Sequence, residues 1–185
     1  LFIFPISIPI KIQPPKIKEP EGKGEKYLKE EYMRRAIELA KKGCGYTNPN
    51  PLVGAVIVKD QRVIGEGYHE KIGGLHAERN ALKNCIEDPE GAEIYVTLEP
   101  CCHYGKTPPC VLRIIEAGIA KVIVGSTDPN PLVSGKGMEL LREAGIEVVC
   151  PVCSDECAEL NEHFFTYIQT LSLIHISEPT RHSLI

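Results

Sequence analysis

The stretch Glu93-Ile94-Tyr95-Val96-Thr97-Leu98-Glu99-Pro100-Cys101-Cys102-His103-Tyr104-Gly105-Lys106-Thr107-Pro108-Pro109-Cys110 reads as three pieces in succession. Glu93 to Leu98 is rich in β-branched and aromatic residues and predicts a strand. A loop rich in Gly and Pro follows. Pro108-Pro109 ahead of Cys110 suits the first turn of a helix over Cys110–Ala117, which Gly118 ends. Lys121 to Gly125 is then an apolar run of the buried-strand type. Strand, helix and strand in this order predict parallel pairing, with helices covering the sheet.

Working outward, the upstream chain predicts a helix over Glu30–Lys42. Met33, Ala36, Ile37 and Ala40 recur at helical spacing, and Gly43 stops it. Asn48-Pro49-Asn50-Pro51 is a rigid loop, because two prolines bar helix and restrict the residues before them. Val53–Val58 and Val63–Tyr68 read as strands around the polar turn Lys59-Asp60-Gln61-Arg62, an antiparallel hairpin. His76–Asn84 is a further helix. Downstream come a helix over Gly137–Ala144, a short strand over Glu147–Val149, and a last helix. On that helix Cys157, Leu160, Asn161, Phe164, Phe165 and Ile168 form a mostly apolar stripe. The sum is a three-layer α/β/α fold: a mixed, largely parallel five-stranded sheet with helices on both faces.

At 185 residues the prior is one domain. A net charge of −4 offers no basic field of the kind nucleic-acid binders use, so a nucleic-acid partner is not expected. Eight Cys in a chain with regular α/β patterning read as reduced thiols, some on metal, rather than as a secreted disulfide framework. No apolar run reaches the ~18 residues of a membrane span, so no membrane partner is expected, and a cytoplasmic location is. Residues 1–26, with five prolines and a Lys/Glu-rich stretch, read as a disordered or non-native extension. Residues 171–185 lack any packing pattern and read as a non-native tail. The working domain is therefore expected over 27–170.

The chemistry-bearing residues gather beyond the carboxyl ends of the predicted strands, where ligands collect in open α/β sheets. His69 and His76 follow the second strand, Glu99 to Cys110 the third, and Asp128 the fourth. His76 with two well-separated thiols and one carboxylate is the inventory of a catalytic zinc centre: three protein ligands and a nearby base. His76 and Cys110 both fall at predicted helix N-termini, which favours a thiolate at Cys110. Glu78 lies roughly 200° round a helix from His76, which leaves it the part of a neighbouring, non-ligating carboxylate. A structural zinc site is the rival, with Cys102 or His103 as fourth ligand. His76-Ala77-Glu78 followed by Pro100-Cys101 fits the zinc-deaminase signature, whose second cysteine is here displaced.

From Tyr32 to about Ile168 the chain resembles the deaminase domain of the bifunctional riboflavin-biosynthesis deaminase/reductase, in the cytidine-deaminase-like superfamily. The resemblance rests on Asn50-Pro51-Leu52-Val53-Gly54, Gly65-Glu66-Gly67-Tyr68-His69, His76-Ala77-Glu78, Tyr95 to Cys101, Gly105 to Cys110, and Asp128-Pro129-Asn130-Pro131. The long spacing between Cys101 and Cys110 belongs to this branch. Base-specific cytidine and transfer-RNA adenosine deaminases place two residues between their cysteines. The resemblance implies hydrolytic deamination of 2,5-diamino-6-(5-phosphoribosylamino)pyrimidin-4(3H)-one. It further implies one Zn2+ per chain on His76, Cys101 and Cys110, with Glu78 carrying protons. Asn50, His69 and Lys106 match substrate contacts of the family, and a dimer or tetramer is implied. The family's reductase domain is expected to be absent after Thr170, so no NADPH is expected on this chain.

Three expectations stand beside these. Pro49 to Val53 echoes Pro129 to Val133, and Asn130, Ser134 and Lys136 at a helix N-terminus are candidates for holding the substrate phosphate. Cys150, Cys153, Cys157 and His163 have zinc-like spacing, but a free Cys157 on the buried stripe is the favoured alternative. A deaminase of another base, and a non-catalytic zinc-stabilised binding module, are the rival functions.

Overall fold

The computed structural model describes residues 25–104, 108–129, 134–166 and 168. Its elements run α1 (Glu25–Lys41), β1 (Gly54–Lys59), β2 (Arg62–Tyr68), α2 (Ala77–Lys83), β3 (Glu93–Leu98), α3 (Cys110–Glu116), β4 (Lys121–Ser126), α4 (Lys136–Glu143), β5 (Glu147–Val149) and α5 (Ser154–Leu160). Helix α1 starts at Glu25, so Glu25 and Lys26 belong to it and not to the extension that the sequence predicts over 1–26.

The five strands lie in the order β2-β1-β3-β4-β5. β1 pairs antiparallel with both β2 and β3, while β3–β4 and β4–β5 are parallel. Parallel pairing therefore makes up half of the sheet, less than the sequence reading expects. The predicted hairpin is present, with a two-residue turn joining β1 to β2, and β1 adds a second antiparallel pairing with β3. Asp60 and Gln61 take positive φ of 49° and 59°, and Lys59 faces Arg62, the geometry that matches strand twist in tight hairpins.

Alternation along the strands builds two cores. Ala55, Ile57, Ile94, Val96, Val122 and Val124 face one way, against Ala77 and Ala81 of α2, Val111 and Ile114 of α3, and Met138 and Leu141 of α4. Val56, Val58, Tyr95 and Ile123 face the other way, against Tyr32, Met33, Ala36 and Ile37 of α1 and Cys157 of α5. That is the three-layer arrangement the period-two and helical patterns predict. Helix α2 sits unusually close to β2. A Cβ on Gly67 would lie 2.3 Å from the Ala81 nitrogen and 2.7 Å from the Ala77 oxygen, so only glycine admits the helix at this depth.

The predicted last helix is interrupted. α5 ends at Leu160, Asn161 turns out of helical geometry at φ −119°, and residues 162–166 resume a helix. No helix among the described residues is long and apolar enough to cross a membrane.

Candidate active site

Strand direction decides which loops meet. β2, β3 and β4 run the same way, so His69, Glu99 and Asp128 leave the sheet at one edge. β1 runs opposite, so Asn50 and Val53, ahead of it, enter at that same edge. All five line a cavity of about 310 Å³, together with His76, Glu78, Cys101 and His103. A larger cleft of about 630 Å³ lies elsewhere, by Lys29, Cys153 and Asp155, and contains no cluster of metal donors among the described residues.

Within the cavity the three predicted ligands converge. His76 Nδ1 lies 3.5 Å from Cys101 Sγ and 3.3 Å from Cys110 Sγ, and all three donor atoms fall within 4.8 Å of one another. A tetrahedral zinc ion separates its nitrogen and sulfur donors by roughly 3.6 Å, so this arrangement and its N/S chemistry fit the metal. Among the described residues no fourth His, Cys, Asp or Glu joins the group. Cys102 instead packs against the α2–α4 core, which removes it as a closing ligand.

Each ligand is positioned by backbone. His76 is the N-cap of α2 in an extended conformation, φ −71° and ψ 161°. It stands outside the helix, so its offset from Glu78 is not a helical one, although Glu78 does stay out of the donor group. Cys110 opens α3 after Pro109, as predicted. Its N–H donates to Cys101 Sγ at 3.3 Å, and the Val111 N–H donates to the Cys101 carbonyl at 3.3 Å, closing the long loop between the cysteines. Arg79 of α2 donates to the Pro108 carbonyl at 3.2 Å and ties the two helices' entries together.

The electrostatics divide the thiols. Hydrogen bonding from the Cys110 thiol, helped by His76 and the Cys110 N–H, holds Cys101 down to about 4. Donating to Cys101 pushes Cys110 up, and burial adds to this. Between the two thiols, the shared hydrogen bond favours the thiolate on Cys101. A bound divalent ion reverses this for Cys110, because a coordinating thiol is deprotonated. Glu78 is 3% exposed, and burial pushes its carboxyl up to about 7.

His69 and Asn50 form a unit. His69 Nδ1 lies 3.0 Å from the Leu75 carbonyl, which can only accept, so this nitrogen carries the proton. Nε2 is then an acceptor, and Asn50 Nδ2 donates to it at 3.1 Å. The buried His69 ring also meets His76 edge-on at 5.6 Å between centroids.

A family model for the cytidine and deoxycytidylate deaminase zinc-binding region matches residues 26–126. The chain belongs to this deaminase family. Within it, the chain is 51% identical over 139 residues to the diaminohydroxyphosphoribosylamino-pyrimidine deaminase of Buchnera aphidicola, covering 75% of this chain and 95% of that protein. It is 64% identical over 140 residues to the riboflavin biosynthesis protein RibD of Actinobacillus pleuropneumoniae, covering 76% of this chain but 37% of the relative. The chain thus spans little more than a third of the length of that RibD relative. Among solved structures, Acinetobacter baumannii RibD superposes with a TM-score of 0.78 at 51% identity, covering 80% of this chain and 42% of that one.

Against this deaminase framework, several site expectations need adjustment. Lys106 and Asn130 lie outside the described residues. Ser134 and Lys136 are exposed and do not line the cavity. The amide groups that the predicted phosphate loop relies on are already engaged: Gly135 N–H and Gly137 N–H donate to the Glu99 carboxylate at 2.9 and 3.0 Å. Cys150, Cys153, Cys157 and His163, for which a packed free Cys157 is the favoured reading, form no donor group. Cys150 packs on the α2–α4 face of the sheet and Cys153 and Cys157 on the opposite face.

Sequence reasoning also misses part of the cavity wall. Phe164 and Ile168, read as core stripe, line the cavity. Their segment is fastened by the buried Asn161, whose amide accepts from the Leu52 N–H and donates to the Leu52 carbonyl, each at 2.8 Å. The only signal in the sequence is an Asn interrupting an apolar stripe.

Proposed function

We propose that this chain hydrolyses the 2-amino group of 2,5-diamino-6-(5-phosphoribosylamino)pyrimidin-4(3H)-one, giving 5-amino-6-(5-phosphoribosylamino)uracil and ammonia, an early step of riboflavin biosynthesis. The observation that carries this reading is a buried carboxylate, Glu78, beside a three-donor N/S cluster in a cavity sized for one heterocycle. The near full-length match to the Buchnera deaminase supports the choice of substrate.

His76, Cys101 and Cys110 hold zinc, which when bound makes water a nucleophile at neutral pH. The chain's own residues then manage protons and orientation. Glu78, held near neutrality by burial, accepts the proton that water loses and returns protons to the ring nitrogen and the departing amine. Water supplies the new ring oxygen, and the C–N bond breaks to release ammonia, so the balance closes without a further reactant. The Asn50 amide meets the pyrimidine edge, oriented by its bond to His69, whose ring Leu75 fixes. Lys106 supplies a cation to the ribose phosphate. A cytoplasmic homo-oligomer completes the reading.

Substrate profiling tests it. Equal concentrations of the diaminopyrimidine ribotide, cytidine and deoxycytidylate are offered and ammonia is measured. Preference for the ribotide by at least about 100-fold in kcat/KM is expected, the discrimination that a polar-edge pocket achieves. Equal or better turnover of cytidine or deoxycytidylate would assign the chain to another base.

A further inference from the structure

We propose that Glu99 is a positioning residue that locks the Asp128 wall of the cavity to the strand end carrying Cys101, and so sets substrate affinity rather than the chemical step. The role rests on the substrate reading above. Glu99 leaves β3 two residues before Cys101 and is 7% exposed. It also lines the cavity. Its carboxylate accepts from three backbone groups far along the chain: Asp128 N–H at 3.3 Å and Gly135 N–H at 2.9 Å on one oxygen, Gly137 N–H at 3.0 Å on the other. The Glu99 N–H meanwhile donates to the Ser126 carbonyl at 3.0 Å, pinning the start of the same crossover.

Helix α4 has no side-chain cap of its own. Glu99 provides that function from across the sheet, an anionic group at the positive end of the helix. The fit is close on both sides. A Cβ placed on Gly137 would lie 2.3 Å from the Pro100 carbonyl and 3.2 Å from Glu99 Oε1, so the α4 entry is pressed on the Pro100 carbonyl and the Glu99 carboxylate together. Cys101 has separate anchors in the Cys110 N–H and in the Cys101 carbonyl's bond to Val111. Loosening Glu99 therefore frees the wall that bears Asp128 and leaves the ligand cluster in place.

Two variants approach the clamp from opposite sides. Glu99→Gln keeps the volume but sets an amide donor against at least one backbone N–H, leaving that donor unpaired. Gly137→Ala keeps the carboxylate but pushes the α4 entry off the Pro100 carbonyl and crowds Glu99 Oε1 from the helix side. Each is made in the full chain. Zinc content, steady-state kinetics on the ribotide, and hydrogen exchange at Asp128, Gly135 and Gly137 are measured. Zinc content equal to wild type, KM raised by about tenfold, and kcat within about threefold are expected for both, the signature of lost uniform binding. Exchange at the three amides is expected to quicken by at least about tenfold as local opening becomes easier. Unchanged exchange, or a lowered kcat with unchanged KM, would overturn the role. If the wild-type chain itself did not turn over the ribotide, the substrate reading would fail, and the exchange result would decide the Glu99 clamp alone.

Discussion

Glu78 is the residue on which the proposed chemistry turns, and its surroundings say why. A carboxylate held out of water beside two thiols and an imidazole cannot be a structural surface acid, because burying it is costly without a use for its proton. Glu78→Gln keeps shape and removes the proton carrier, so turnover is expected to fall by about 10²–10⁴-fold with zinc content unchanged. Ammonia release and a metal count on one sample check this together. The remaining cysteines offer a second test at the same scale. Cys44 is exposed, whereas Cys157 is fully buried under α1 and burial pushes its thiol up to about 12. Alkylation of the native protein near pH 8 is expected to label Cys44 readily and to spare Cys157, whose thiolate fraction there is about 10⁻⁴. Mass spectrometry after digestion reads the two sites. Labelling of Cys157 at the Cys44 rate would mean that α5 does not pack as described. The converging donors are legible in the sequence because His76-Ala77-Glu78, Pro100-Cys101 and Pro109-Cys110 are short local patterns. The order of thiol ionisation is not, since it depends on Cys110 donating to a residue brought near by the fold.

At the scale of elements, strands were readable and one helix was not. Glu93–Leu98 and Glu147–Val149 match the sequence reading residue for residue, because alternation and flanking turns act locally. The 60–61 turn was readable as a turn, though positive φ at Asp60 and Gln61 is set by hairpin closure. The break at Asn161 is not legible in the sequence because its cause lies far along the chain: Leu52 pairs with its amide across a separation of 109 residues. That staple carries the Phe164 wall against the loop bearing Asn50. Asn161→Ala is expected to cost about 2 kcal/mol, two buried hydrogen bonds at about 1 kcal/mol each, which lowers Tm by about 6 °C in a domain of this size. Calorimetry measures it. A stability unchanged from wild type would show that the segment after α5 is not held by Leu52. A related case is the predicted phosphate loop: a helix N-terminus in the sequence looks available, and only the fold shows that its Gly135 and Gly137 amides bond to Glu99.

For the whole molecule, the mixed sheet explains why the site forms at all. Parallel β3 and β4 deliver Cys101 and Asp128 to one edge, while antiparallel β1 brings Asn50 back to that edge and β2 adds His69. A purely parallel sheet would have placed Asn50 at the far end. The proposed function places zinc on His76, Cys101 and Cys110 at this edge, a proton carrier in Glu78, and the diaminopyrimidine ribotide as substrate. The most direct measurement is ammonia release from that ribotide by the purified chain, with zinc counted on the same sample before and after chelation. Turnover with about one zinc per chain, lost on chelation and restored when zinc is returned, is expected. Turnover that persists after the zinc has been removed, or a fully zinc-loaded chain that releases no ammonia, would contradict the proposed function.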